Sequence, residues 1–295
     1  MSRRDPHGDS PPWRRVLSEA KSAVMRRIAP GGVPVDPPPQ PYLVVPVLGQ
    51  SNAQGMGLGL DTAGLDKPHP DVHQLAMCGP SKGKVIQAVD PLLHDVPGKG
   101  AGFGVTFGKY LTEETGRSVL LIPGARGDTA FAPKNGYTWD QFNTTCRRNL
   151  YWRAVNAIDD ALARYPGSQI PVFLWHQGET DVPLTSGPDY QVHLDKLIEA
   201  LRAHYGADVP FLLGGMVPEE MERGHEDYPV INAIHVDTPN RHARTAFVPG
   251  PRNSFNSDTD RHYSAAGQRE LAKRMWDAYR AMAADELKAF ATESK

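Results

Sequence analysis

Four short polar clusters in this chain have the residue types and spacing to do chemistry, and each directly follows an apolar run or precedes a helix. The first is Gly49-Gln50-Ser51-Asn52. A serine at a strand-to-helix turn can hold its hydroxyl clear of a sheet and aim its own backbone N–H into a cleft, and Gly49 permits the tight turn. The same tetrapeptide could instead only cap a helix through Ser51 or Asn52. The second is Gly124-Ala125-Arg126-Gly127-Asp128-Thr129. Glycine there lets a backbone N–H approach a ligand closely, although an ordinary Gly/Asp turn gives the same pattern. The third, Trp175-His176-Gln177-Gly178-Glu179-Thr180-Asp181, offers the Gln177 amide as a donor and Glu179 and Asp181 as acids or bases. A metal site from His176, Glu179 and Asp181 is disfavoured, because no local His-x-x-x-His pair accompanies them.

The fourth cluster runs from Ser257 to Gly267 and contains Asp258, Asp260 and His262. A histidine with acids a few residues upstream suits a general base. The carboxylate accepts a proton from one ring nitrogen and fixes the tautomer, and the other nitrogen faces a hydroxyl. The alternative is a helix N-cap at Ser264 with incidental charges nearby.

These clusters need a frame. Tyr42–Leu48, Ser118–Ile122, Pro171–Trp175, Val209–Leu213 and Thr245–Val248 are continuous apolar runs, suited to strands buried on both faces. Between them, Leu150, Ala154, Val155, Ile158 and Leu162 share one helical face. So do Tyr190, Leu194, Leu197, Ile198 and Leu201. A last helix starts near Ser264. Strands alternating with helices of this length predict a parallel sheet covered on both faces. Functional groups of such sheets gather past the carboxyl ends of the strands, where the polar clusters fall.

Residues 1–40 read as a basic, Pro-rich extension and linker, 41–285 as the domain, and 286–295 as a tail. Within the extension, Trp13–Ile28 has a weak helical pattern. It reads as a helix packed on the domain or a frayed tail, ahead of a helix for a partner or membrane surface. The segment from Gly55 to Gly100 is a long loop expected to cover or line the site. The chain has 295 residues, 40% hydrophobic and 22% charged, with net charge -2. That is ordinary globular composition, without the basic surplus nucleic acid binding would want. No membrane span is expected, and without an apolar leader the chain as written reads as cytoplasmic. Cys78 and Cys146 show no metal or redox spacing and read as two buried free thiols, ahead of a single disulfide.

Taken in order, the four clusters resemble the blocks of the SGNH/GDSL hydrolase superfamily. Gly-Gln-Ser-Asn, Trp-His-Gln-Gly-Glu-Thr-Asp and His-Tyr-Ser-Ala-Ala-Gly resemble its sialate O-acetylesterase and acetylxylan esterase branch, carbohydrate esterase family six. The similarity spans about residues 42 to 280. It implies an α/β fold, a three-layer α/β/α sandwich with a central five-stranded parallel sheet, flavodoxin-like. It implies Ser51 as nucleophile and His262 as base. The oxyanion donors would be the N–H groups of Ser51 and Gly127 and the amide of Gln177. The family usually places its acid three residues before the histidine, where this chain has Thr259, so Asp260 is taken as the acid with Asp258 as the alternative.

The reaction so implied is hydrolysis of a small acyl ester, acetyl first, on a carbohydrate, through an acyl-enzyme and with no metal or organic cofactor. Asn52, Asp128 and Glu179 are candidate substrate ligands. Trp139 and Tyr137 could stack on a sugar, though aromatic residues near a helix start are more often core. Rival readings are a carbohydrate-binding protein that kept the fold without catalysis, an O-acyltransferase, and a lipid esterase.

Overall fold

The computed structural model describes residues 12–224, 226–257 and 261–293. A long amphipathic segment comes first, α1 (Pro12–Ile28). The first apolar run is β1 (Leu43–Gly49), followed at once by the one-turn helix α2 (Ser51–Gln54). Next come β2 (Val72–Leu75), β3 (Val85–Gln87) and α3 (Phe103–Thr115). The second run is β4 (Val119–Pro123), and a small ribbon of β5 (Tyr137–Thr138) and β6 (Arg148–Asn149) leads into α4 (Leu150–Arg164). Then β7 (Phe173–His176), α5 (Gly187–Tyr205), β8 (Phe211–Gly214), α6 (Pro218–Arg223) and α7 (Tyr228–Arg241) follow. The chain closes through β9 (Thr245–Val248), α8 (Ala265–Met282) and α9 (Ala284–Glu293).

The sheet has seven strands in the order β3-β2-β4-β1-β7-β8-β9, all parallel except the edge strand β3. Side chains alternate across it, as the two-residue period of a strand requires. Val44 and Leu48 of β1 join Leu150 and Ile158 of α4 and Leu194 and Leu197 of α5 in one core. Leu43, Val45 and Val47 join Phe103 and Phe107 of α3 and Leu271 and Met275 of α8 in the other. Two faces, each buried under helices, make the three layers.

The five expected strands are β1, β4, β7, β8 and β9, and the expected count of five is corrected to seven. The two additions lie in the segment expected as a loop. β2 carries His73 and Gln74, which interrupt an apolar run yet are buried. Each finds internal partners: Tyr42 Oη lies 2.8 Å from His73 Nδ1, and Gln74 Oε1 accepts from the Leu93 N–H at 2.7 Å. Satisfied polar groups can occupy a buried strand at little cost, so hydrophobicity alone misses this one.

Both ends pack against the domain. Of the residues expected as a tail, 286–293 lie in α9, whose Leu287 and Phe290 are buried against α3 and α8. In the extension, Pro34 bridges Ile86 of β3, and the Gln87 N–H donates to Val33 O, covering that sheet edge. α1 docks through its polar side. Its Ser22 Oγ accepts from Arg126, and its Arg26 donates to Asp95. Trp13, Val16, Leu17, Val24 and Ile28 of α1 remain exposed.

Asp95 is the anchor of this docking. Arg26, Arg126 and Arg153 approach it at 2.7, 2.6 and 3.0 Å. Burial alone would raise its carboxyl, but Arg153, Arg126 and Arg26 outweigh burial and hold it below the usual range. No disulfide joins Cys78 to Cys146. Among the described residues no helix is long and apolar enough to cross a membrane.

Candidate active site

The ends of β1, β4 and β7 are stitched into one rim. Gly49 sits at φ +119°, and a Cβ there would lie 2.0 Å from the His176 carbonyl oxygen. Only glycine allows this approach. It lets the Gln50 N–H donate to His176 O at 2.8 Å and the Arg126 N–H donate to Gly49 O at 3.0 Å. Three of the four polar clusters are thereby fixed side by side at the carboxyl edge of the sheet.

The fourth cluster arrives from the other end of the chain. His262 Nε2 lies 2.9 Å from Ser51 Oγ, across 211 residues of sequence. Ser51 is the first residue of α2, and its N–H donates to no group among the described residues. Both line a cavity of about 270 Å³ with Gln50, Gln54, Met56, Gly127, Asp128, Thr180 and Arg261. Ser264 caps α8 by accepting from the Gly267 N–H. The Ser264 cap and the His262 contact with Ser51 therefore coexist.

Asn52, expected at the substrate, is fully buried behind the serine. Its Nδ2 donates to Glu179 Oε1 at 3.1 Å and to Arg261 O at 3.2 Å, and its Oδ1 accepts from the Tyr263 N–H at 3.1 Å. It thus holds the peptide groups on both sides of His262. Glu179, also expected at the substrate, is buried too. It orients Asn52 and lies 3.7 Å from His176 Nδ1. Asp128 is the one candidate ligand on the cavity rim. It adopts φ 59°, is paired with Lys134 and accepts from Asn135.

The two further oxyanion candidates are engaged elsewhere in this structure. The Gly127 N–H donates to Gln54 Oε1 at 2.6 Å, and Gln54 is held in turn by Val96 O and Pro97 O. Gln177 has no exposed surface, and its Nε2 donates to Asp181 Oδ2 at 2.7 Å. Asp181 also accepts from the Phe131 N–H and from Thr185 Oγ1. Those bonds lower its carboxyl, but burial raises it more, and the net direction is up. His176 Nε2 faces Gly215 O at 2.9 Å. His176 Nε2 and both Asp181 carboxylate oxygens thus serve the protein's own groups. Trp139 and Tyr137 are core, with Trp139 edge-on to Trp175 and Arg126 over the Tyr137 ring.

Asp258 and Asp260, the two candidate acids, lie outside the described residues. The residues that sequence reasoning left without a role are Gln50, Gln54, Met56, Thr180 and Arg261. Gln50, Gln54 and Thr180 stand inside or beside the quoted clusters, so the clusters were a signal for position though not for role. Arg261 likewise stands inside the fourth cluster, and Met56 carried no signal beyond adjacency.

Residues 42–281 match the family described as carbohydrate esterase, sialic acid-specific acetylesterase. An Escherichia coli (strain K12) protein described as a probable 9-O-acetyl-N-acetylneuraminic acid deacetylase is 26% identical over 200 residues. That match covers 56% of this chain and 61% of the relative, so less than two thirds of the relative's length is represented. Among solved structures, that of NanS superposes with a TM-score of 0.69 at 21% identity, covering 83% of this chain and 99% of the other. A protein from Arabidopsis thaliana gives 0.66 at 20% identity, covering 82% and 98%. A carbohydrate acetylesterase from Xanthomonas citri gives 0.57 at 16%, covering 82% and 57%. These likenesses establish the fold, and the family match covers most of the chain. The chain is a member of the carbohydrate esterase, sialic acid-specific acetylesterase family.

Proposed function

We propose that this protein hydrolyses O-acetyl esters on a carbohydrate, with Ser51 as nucleophile and His262 as general base. The observation that carries the reading is the 2.9 Å contact between Ser51 Oγ and His262 Nε2 inside a small cavity. It has the separation and the pairing a serine nucleophile needs. An acetyl group fits a cavity of about 270 Å³. The name of the E. coli relative supports an O-acetylated sialic acid as the first substrate to test.

In the proposed reaction His262 takes the Ser51 proton as Oγ attacks the ester carbonyl. The carbonyl oxygen gains negative charge and meets the Ser51 N–H. His262 then protonates the departing sugar oxygen, leaving acetyl on Ser51. Water, deprotonated by His262, attacks that ester; the acyl–Oγ bond breaks, His262 returns the proton to Ser51 Oγ, and acetate leaves. Asp260, with Asp258 as the alternative, is proposed to accept from the far imidazole nitrogen and stabilise the imidazolium. The Gly127 N–H can join the oxyanion once Gln54 Oε1 gives it up.

The test is acetate release from a panel of O-acetylated sialic acids and acetylated xylan, with a free sugar acceptor present in a second arm. Acetate release, lost in His262→Ala, supports the reading. Transfer of acetyl to the added sugar without free acetate overturns it in favour of an acyltransferase. Binding without turnover overturns it in favour of a binding protein.

A further inference from the structure

We infer that Gln50 supplies the side-chain donor to the oxyanion, and that Gln177 acts behind it as a positioning residue. This rests on the Ser51–His262 reading above and assigns one further group within it.

The orientation of two carboxamides, Gln177 and Gln50, decides the matter. Asp181 is held by the Phe131 N–H and by Thr185, so its Oδ2 offers only an acceptor to Gln177. The Gln177 atom facing it at 2.7 Å is therefore Nε2. Consistently, Gln177 Oε1 accepts from Tyr190 Oη at 3.1 Å. The second proton on Gln177 Nε2 points to Gln50 Oε1 at 3.3 Å and Thr129 O at 3.4 Å. Both Gln177 protons then have protein acceptors, and the residue has no exposed surface.

Gln50 is the next link. The Thr180 backbone N–H is a donor only, and it faces Gln50 at 3.3 Å. The Gln50 atom on that side is therefore Oε1. Two donors, from Thr180 and Gln177, fix the carboxamide in one orientation and leave Nε2 on the opposite side. Gln50 Nε2 has no acceptor among the described residues, and Gln50 lines the cavity beside Ser51 and His262. It is a preorganised, polarised donor next to the nucleophile, with its acceptor end already satisfied. A donor held in place before charge develops costs no reorganisation during the reaction. Donation by Gln177 to Gln50 Oε1 also strengthens the donor character of Nε2, since linked hydrogen bonds polarise one another.

Gln50→Glu separates the two ends of this amide. It keeps an acceptor for Thr180 and Gln177 but removes the donor facing the cavity. With an aryl acetate, kcat should fall about 100- to 1,000-fold, with KM within about threefold of wild type. Gln50→Ala should fall by a similar factor. A thionoacetate, whose sulfur is a weak acceptor, reports the oxyanion contact directly: the wild-type to Gln50→Ala ratio should shrink to under about tenfold. Thermal unfolding of each variant verifies that it is folded, and Gln50→Ala covers the case in which the glutamate variant is not.

Variants that keep kcat within about threefold of wild type overturn the assignment. So does an equal loss on ester and thionoester, which marks a structural role. Failure of the wild type to react at Ser51 with an aryl phosphonate overturns the nucleophile reading instead, so the two failures are distinguishable.

Discussion

The Asn52 side chain accepts a hydrogen bond from the Tyr263 backbone N–H at 3.1 Å, joining the turn that bears the serine to the segment that bears the imidazole. With its second bond, to Arg261 O, Asn52 clamps the chain immediately before and after His262. Asn52, the residue after Ser51, therefore fixes where His262 stands. Glu179 holds Asn52 from behind. Through Glu179 the third polar cluster supports the placement of Ser51 and His262 from behind.

Asn52→Ala should consequently behave as a positioning defect. Four hydrogen bonds, to Glu179, Arg261 O, the Tyr263 N–H and Gln268 Nε2, are lost at a buried site, which should cost about 2–4 kcal/mol of stability. Activity should fall about 10- to 100-fold in kcat with little change in KM. Asn52→Asp keeps the Tyr263 bond but turns an oxygen toward Glu179 Oε1 and Arg261 O, and it should be at least as impaired. Steady-state kinetics and thermal unfolding of both variants give the answer. A substrate ligand would instead raise KM, leaving stability intact.

Gly49→Ala tests the stitching of the rim. A Cβ at φ +119° and 2.0 Å from His176 O cannot be accommodated without separating β1 from β7. The expected result is a loss of about 4 kcal/mol or more, read as a fall in Tm of about 10 °C or more, or no folded protein. A variant with wild-type Tm would show that the two strand ends do not meet this closely.

Acid stability should depend on His94. It is fully buried, its Nδ1 accepts from the Ala125 N–H at 3.0 Å, and burial lowers its pKa to about 3. A ring neutral when folded but basic when unfolded contributes stability above about pH 6.5. That contribution falls by about 1.4 kcal/mol per unit as pH drops toward 3. His235, also lowered to about 3 by burial first and then by His176 and Arg241, acts in the same direction. His94→Asn keeps an acceptor near the Nδ1 position without a titrating group. Its Tm deficit relative to wild type should shrink between pH 7.5 and pH 4.5. A constant deficit would contradict the assignment.

The layers of the fold were legible because buried parallel strands are almost wholly apolar and the helices between them are periodic. β1, β4, β7, β8 and β9 all announce themselves this way. β2 did not, because His73 and Gln74 are satisfied by partners that only tertiary structure reveals. The pairing of Ser51 with His262 was legible from cluster order at strand ends. The roles inside the clusters were not. Glutamines at 50, 54 and 177 are chemically identical, and only their neighbours distinguish them. Gln54 caps the Gly127 N–H, Gln177 is bound by Asp181, and Gln50 faces the cavity. Asn52 and Glu179 likewise have polar types that suit a ligand, yet both are buried.

The most direct measurement of the central claim is covalent labelling by an aryl phosphonate, followed by intact mass and peptide mapping. The wild type should gain one phosphonyl group per chain, on Ser51, while losing aryl acetate turnover in step. Ser51→Ala should be folded, unlabelled and inactive, and His262→Ala should label at least about 100 times more slowly. Labelling at another residue, or undiminished turnover in Ser51→Ala, would contradict the account.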